Sequence, residues 1–380
     1  MKRTLILLAT GAAALAWQFA TVQVNYHGNW TALFCTAGNR PTPPQLAAEE
    51  ILTFPDSNGF DGQFYHYIAH EPVPGELAAY VDAPRMRYRR ILVPGLAWLL
   101  AMGRPAAIDA AYLAAGYGFL LLGLWWMMGY ARQVGLGEQW GLLFAALPAS
   151  LVFIDRLTID HALAALTAAF VLLAARGPSW RLYLVLALAP LARETGLLLI
   201  AAWLIQCALE RRWREAALAV STAIPWLAWN FYLMTATPPT AVSVSLVPLS
   251  EFWRSLAHPV PYPTGIPLLW AVRIADVLAL GGMLAAIALA GTLAWRKRQD
   301  PAATAALLFA ALALVLQHHE VWATPYNYGR IFSPLLALAA MGWLSVNRAL
   351  AALPIAMMLP RLLMQYGRQV EGIFRAGIGS

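Results

Sequence analysis

Asn58-Gly59-Phe60-Asp61-Gly62-Gln63-Phe64-Tyr65-His66-Tyr67-Ile68-Ala69 is a polar, aromatic island in a chain of otherwise oily helix, and the basic run Arg85-Met86-Arg87-Tyr88-Arg89-Arg90 follows it. It lies in the first long break between hydrophobic segments. Around it, 60% of the residues are hydrophobic, 12% are charged and the mean hydropathy is +0.59. Soluble domains carry about 25% charged residues, so the chain reads as an all-α polytopic membrane bundle of about 10–12 helices. The net charge of +7 does not point to nucleic acid, because Lys and Arg in such proteins mostly mark cytoplasmic loops.

Outward from the island, Met1-Lys2-Arg3 and the apolar run Leu5 to Ala20 have the form of a signal peptide. The many spans that follow favour an uncleaved anchor over 4–22. The loop at 23–90 is too long for a plain connector, and Pro43-Pro44 starts a short surface helix in it. The apolar segment 91–103 is shorter than the roughly 20 residues that a span needs, so it is expected to dip without crossing. Further spans are expected at 107–130, 139–154 and 161–175, then a Pro-broken hairpin at 182–191 and 195–209. The last are at 216–235, 268–295, 302–317, 330–346 and 349–366. The loop 236–267 carries seven prolines, which block regular structure except for a helix near Ser250–Leu256. The whole of 1–380 reads as one membrane domain. With Arg132, Arg176, Arg211–Arg214 and Arg296–Arg298 in the cytoplasm, the 23–90 and 236–267 loops, 155–161, 193–194 and 317–329 share the outer face.

Residues on that face carry the candidate chemistry. Asp61, before a helix, fits an N-cap; at the mouth of a cavity it fits a general base, with Gln63, Tyr65 and His66 lining the pocket beside it. Arginines crowded on an outer face run against the positive-inside tendency. Arg87, Arg89 and Arg90 therefore suit an anionic ligand, since guanidinium grips phosphate oxygens in a fork. Arg193, beside Glu194 at the hairpin tip, and Arg330 add to that set. Asp155, Asp160 and His161 interrupt an apolar stretch, where ionisable groups default to function, although Arg156 and Asp160 share a helix face and fit a structural pair. Tyr326, Asn327 and Tyr328 precede Arg330 and complete the expected substrate pocket. Arg273 and Asp276 read as a structural pair. His318-His319-Glu320 has metal-compatible residue types at a spacing unsuited to one ion.

Asp61 followed by Tyr65-His66-Tyr67-Ile68-Ala69 after the first span resembles the GT-C superfamily of integral membrane glycosyltransferases. The order of Asp160, Arg176 to Trp180 and Leu191-Ala192-Arg193-Glu194-Thr195-Gly196 also resembles that superfamily, closest to bacterial relatives of the protein mannosyltransferases and GPI-anchor mannosyltransferases. The resemblance covers 1–215 and returns around Tyr326–Arg330. It implies a sugar donor on a polyprenyl phosphate, a glycan, lipid or protein acceptor, and Asp61 as the acid that deprotonates the acceptor hydroxyl. It also implies a bacterial inner membrane with the site facing outward among membrane lipids. Many relatives carry a second acid where this chain has Gly62. One carboxylate makes a poor divalent-cation site, so no cofactor is called for, and a divalent metal stays open without support from the residues. The competing readings are a lipid-linked-sugar transporter, which calls for matching halves and mid-membrane polar groups, and a non-catalytic envelope assembly protein.

Overall fold

The computed structural model describes residues 2–239, 247–261 and 265–378; part of the 236–267 loop lies outside them. The chain is an all-α polytopic bundle. Among the described residues, five helical stretches are long and apolar enough to cross a membrane: Lys2–Asn25, Pro105–Gln133, Trp213–Ala236, Leu268–Arg296 and Arg348–Ala376. At 1.5 Å per residue the unbroken 24-residue helix Lys2–Asn25 is about 36 Å long, against about 30 Å of hydrocarbon.

Helix α1 (Lys2–Asn25) leads into the first loop, where the described strands β1 (Thr36–Ala37) and β2 (Thr53–Phe54) pair in parallel. Between them Pro44–Glu49 forms a 3-10 helix with Pro at its start, as the Pro-Pro pair predicts. Asn29 caps the turn that follows it, accepting from Thr31 N at 3.0 Å. Then come α2 (Gly62–His70), α3 (Pro84–Tyr88), α4 (Leu92–Leu100) and α5 (Ile108–Gln133). Helix α4 has 9 residues, about 14 Å, so it does not reach across a bilayer.

Three expected spans are broken instead. Pro148 splits 139–154 into Leu142–Ala145 and Pro148–Arg156, with Leu147 extended between them. Pro225 starts a new helix within 216–235, and Pro334 does so within 330–346. In each case proline occupies the first turn of the second piece, where its missing N–H leaves no orphan.

The centre of the bundle is built from short helices: Asp160–Ala174, Trp180–Ala192, Leu197–Leu209, Pro301–Val315 and Ser333–Leu344. Ser333–Leu344 is buried along its whole length and Asp160–Ala174 along nearly all of it. Their small residues, such as Ala162, Ala164, Ala165, Ala337, Ala339 and Ala340, let neighbouring backbones approach closely. A helix of 15 residues is about 22 Å long, so these elements stop short of the bilayer thickness. Asp160 opens one, Arg193 ends the second, Glu194 leads into the third and Arg330 lies just before the last. Their polar ends therefore collect at one level, beneath the first loop. Both cysteines, Cys35 and Cys207, are buried and free.

Candidate active site

The island forms the roof of that level. Gly59 sits at φ +72°, and a Cβ there would lie 2.8 Å from the Cys35 carbonyl oxygen. Gln63 accepts from Ala37 N at 3.1 Å and donates to Asn58 O at 3.3 Å. Gln63 thus ties the loop together; it does not line a pocket as the sequence suggested. Asp61 precedes α2 with its own backbone already helical, and its carboxylate makes no capping bond. The cap reading is therefore set aside, and the side chain is free for other work.

That work is electrostatic. Asp61 Oδ1 accepts from Arg87 Nη1 at 2.9 Å, and Oδ2 from Arg330 Nη2 at 2.6 Å. Arg87 also grips Asp82 in a fork, Nε to Oδ1 at 2.9 Å and Nη2 to Oδ2 at 3.0 Å. Arg330 Nη1 reaches Asp160 Oδ2 at 3.2 Å, and Asp160 Oδ1 takes Arg193 Nη1. Alongside runs a second fork, from Arg90 Nε and Nη2 to Glu194 at 3.0 and 2.8 Å, with Arg90 Nη1 donating to Tyr65 Oη at 3.2 Å. Carboxylates and guanidiniums alternate from Asp82 to Arg193. Arg330 is 170 residues from Asp160, and Arg90 is 104 from Glu194.

The arginine side chains are buried, whereas Asp61 keeps 19% and Glu194 31% of their side-chain surface. Asp160 is buried with the arginines at 4%, so it is Asp61, Asp82 and Glu194 that keep contact with solvent. Nε of both Arg193 and Arg330 is buried without an acceptor among the described residues. Both N–H groups could still donate to an acceptor oxygen. The Asp160–Ala174, Leu197–Leu209 and Ser333–Leu344 helices also start here, directing the positive ends of their dipoles at the same place. Burial alone would push the Asp61 carboxyl up. The Arg330 and Arg87 guanidiniums outweigh it and hold the group well below the usual carboxylate range.

No family model, curated protein or solved structure matches this chain.

The geometry accounts for Gly62. A Cβ there would stand 2.6 Å from the Arg156 carbonyl oxygen and 3.0 Å from that of Phe34, both backbone. A second acid beside Asp61 has no room. Gly62→Ala is accordingly expected to lower thermal stability by about 1–3 kcal/mol through overpacking, read as a melting shift in detergent; an unchanged melting temperature would contradict this packing.

Several residues picked from the sequence lie elsewhere. Arg156 pairs with its neighbour Asp155 at 3.2 Å and not with Asp160, because Leu157, in the left-handed region at φ 45°, ends one helix before Asp160 starts the next. Asp155 is not in the pocket. It is held by Gln365 and, at 2.9 Å, by Gln369 from the C-terminal segment. His161 is also outside it, fully buried with Nε2 2.9 Å from Gly116 O and its ring stacked on Phe153 at 4.1 Å. His66 turns away toward Asp109, at 2.8 Å. Tyr326 bonds Arg361 and its carbonyl, and Tyr328 stacks on Trp322 at 5.5 Å. Asn327 touches the cluster, with Oδ1 3.5 Å from Arg330 Nη2. Arg89 is half-buried and its Nε has no acceptor among the described residues; Arg85 instead anchors α3 to the backbone of Met234 at 3.1 Å. Asp276 pairs with Arg361 at 2.7 Å. Asp82 was missed by the sequence reading. Its five-residue spacing to Arg87 was the available signal, and it falls outside the helical pair rule.

Proposed function

We propose that this protein is a membrane glycosyltransferase that moves a sugar from a polyprenyl phosphate to an acceptor hydroxyl on the extracytoplasmic side of a bacterial inner membrane. The observation that carries the reading is the convergence of Asp61 with Arg87, Arg330, Arg193 and Arg90 on one level of an otherwise oily bundle. A lipid phosphate suits this arrangement, since its tail stays in hydrocarbon while its charge meets buried guanidiniums. The resemblance to the GT-C superfamily implies the same donor class.

In the proposed reaction the acceptor oxygen attacks the anomeric carbon in line, with inversion. The bond from that carbon to the phosphate oxygen breaks, and the polyprenyl phosphate leaves with the electron pair. Arg330, Arg193 and Arg90 stabilise the charge that develops on it. Asp61 Oδ takes the acceptor proton. A carboxylate clamped by two guanidiniums is a weak base. An arriving phosphate competes for Arg87 and Arg330, loosens that clamp and raises the basicity of Asp61 only once the donor is seated.

The test has two arms. Native mass spectrometry of the purified protein with undecaprenyl phosphate is expected to give a one-to-one complex that uncharged undecaprenol does not form and that Arg193→Met weakens at least about tenfold. Incubation with a radiolabelled polyprenyl-phosphate sugar is expected to release polyprenyl phosphate. Equal binding of the alcohol would remove the phosphate site. Labelled lipid crossing vesicles with its glycosidic bond intact would favour transport.

A further inference from the structure

On the face of α2 turned away from Asp61, four side chains from three segments converge. His66 and His70 stand four residues apart and so share a helix face. Asp109 comes from the first turn of α5, and Glu49 from the end of the 3-10 helix Pro44–Glu49. One ligating atom from each lies within 4.8 Å of every other. His66 Nε2 is 2.8 Å from Asp109 Oδ1 and 3.3 Å from His70 Nε2; His70 Nε2 is 3.9 Å from Glu49 Oε1.

We propose that these four groups form a zinc site that clips α2 to α5 and to the first loop. The two imidazoles present the same nitrogen to each other. Their 3.3 Å separation matches the edge of a tetrahedron with Zn–N bonds of about 2.05 Å, which is about 3.3 Å. Two neutral histidines and two carboxylates balance a divalent charge, and this mixed N and O set suits zinc. His66 is fully buried, and its ring is fixed by Phe34 stacked on it at 4.0 Å. A cleft of about 260 Å³, lined by Gln45, Glu49, His70, Glu71 and Glu76 among others, gives an ion access from outside. Without an ion, one proton on His66 Nε2 would have to serve both Asp109 and His70. The ion would act on position: His66 and His70 lie on the helix whose first turn follows Asp61.

This inference stands apart from the glycosyltransferase reading, and its readout is metal. The protein, purified through a tag free of histidine, is stripped with chelator, reloaded with zinc and assayed by elemental mass spectrometry. About one zinc per chain is expected, with a melting temperature that rises on zinc and falls on chelation, since an ion bound only to the native state stabilises it. Cobalt in place of zinc is expected to give the visible absorption of a tetrahedral site. His70→Ala and Glu49→Gln are each expected to weaken cobalt binding at least about tenfold. Reloaded wild-type protein that holds zinc well below one per chain, with no melting shift, would overturn the site, and that arm depends on no variant. Retention of the ion at wild-type affinity by a folded His70→Ala protein would overturn it equally.

Discussion

Asp61→Asn is expected to lower glycosyl transfer about 10²–10⁴-fold, the range that a positioned general base contributes. The fold is expected to survive. Arg87 keeps its fork to Asp82, and Arg330 keeps Asp160, so no guanidinium is stranded. Asparagine also caps a helix as well as aspartate does, but the Asp61 side chain makes no capping bond to replace. The pH profile separates a base from a spacer. In the free enzyme the two arginines hold the Asp61 carboxyl low, so kcat/KM, which reports the free enzyme, is expected to show no acid limb from Asp61 above about pH 4. Donor phosphate draws guanidinium away and raises that carboxyl, so the acid limb of kcat is expected at higher pH than that of kcat/KM. Protonation removes the base, so each limb falls toward low pH. Transfer by Asp61→Asn within a few-fold of wild type, or coincident limbs, would take Asp61 out of the chemistry.

Arg330→Met is expected to damage both stability and turnover. Arg330 is the only described side chain that touches Asp61 and Asp160 together. Removing one member of a buried ion network leaves charge poorly compensated, at about 3–5 kcal/mol. The lower end is expected here, because Arg87 still holds Asp61 and Arg193 still holds Asp160. If Arg330 also stabilises the leaving phosphate, transfer falls a further 10²–10³-fold, about the loss on removing one donor aimed at developing charge. Arg330→Lys separates the two effects. Its single ammonium restores the charge but cannot bridge two carboxylates as a planar fork does, so stability recovers more than activity. Melting curves in detergent and initial rates on the same preparations measure the two. A variant that melts low but transfers at wild-type rate per folded molecule would make Arg330 structural only.

How far the sequence reached depends on where each partner lies. Asp61, Arg87 and Arg90 belong to one loop, and composition alone marks that loop as foreign to the bundle. Arg193 and Arg330 are legible as charges at helix ends. Their partners are not, because the contacts at Asp160 arise from three short helices that terminate together, a property of packing with no local signature. Asp155 and His161 look alike in the sequence to Asp160, as ionisable groups in an apolar stretch. They differ because Gln365 and Gln369, more than 200 residues away, hold Asp155, and because the Gly116 carbonyl holds His161. The spacing of His66 and His70 was visible on any helical reading of 62–70; Asp109 and Glu49 came from elsewhere and gave it meaning. The breaks in three expected spans went unread, although Pro148, Pro225 and Pro334, each in the first turn of a new helix, carried the signal.

The alternation of charge carries a kinetic corollary. Arg87, Arg90, Arg193 and Arg330 stand against Asp61, Asp82, Asp160 and Glu194, so the resting assembly is formally neutral. A spent lipid carrier that lingered there would leave the buried assembly with excess negative charge. Under the proposed reaction the native acids would return to their arginines as it departs, as resident competitors that evict the by-product. If the proposed transfer takes place, this neutrality would trade a tight hold on the substrate for a clean reset between turnovers.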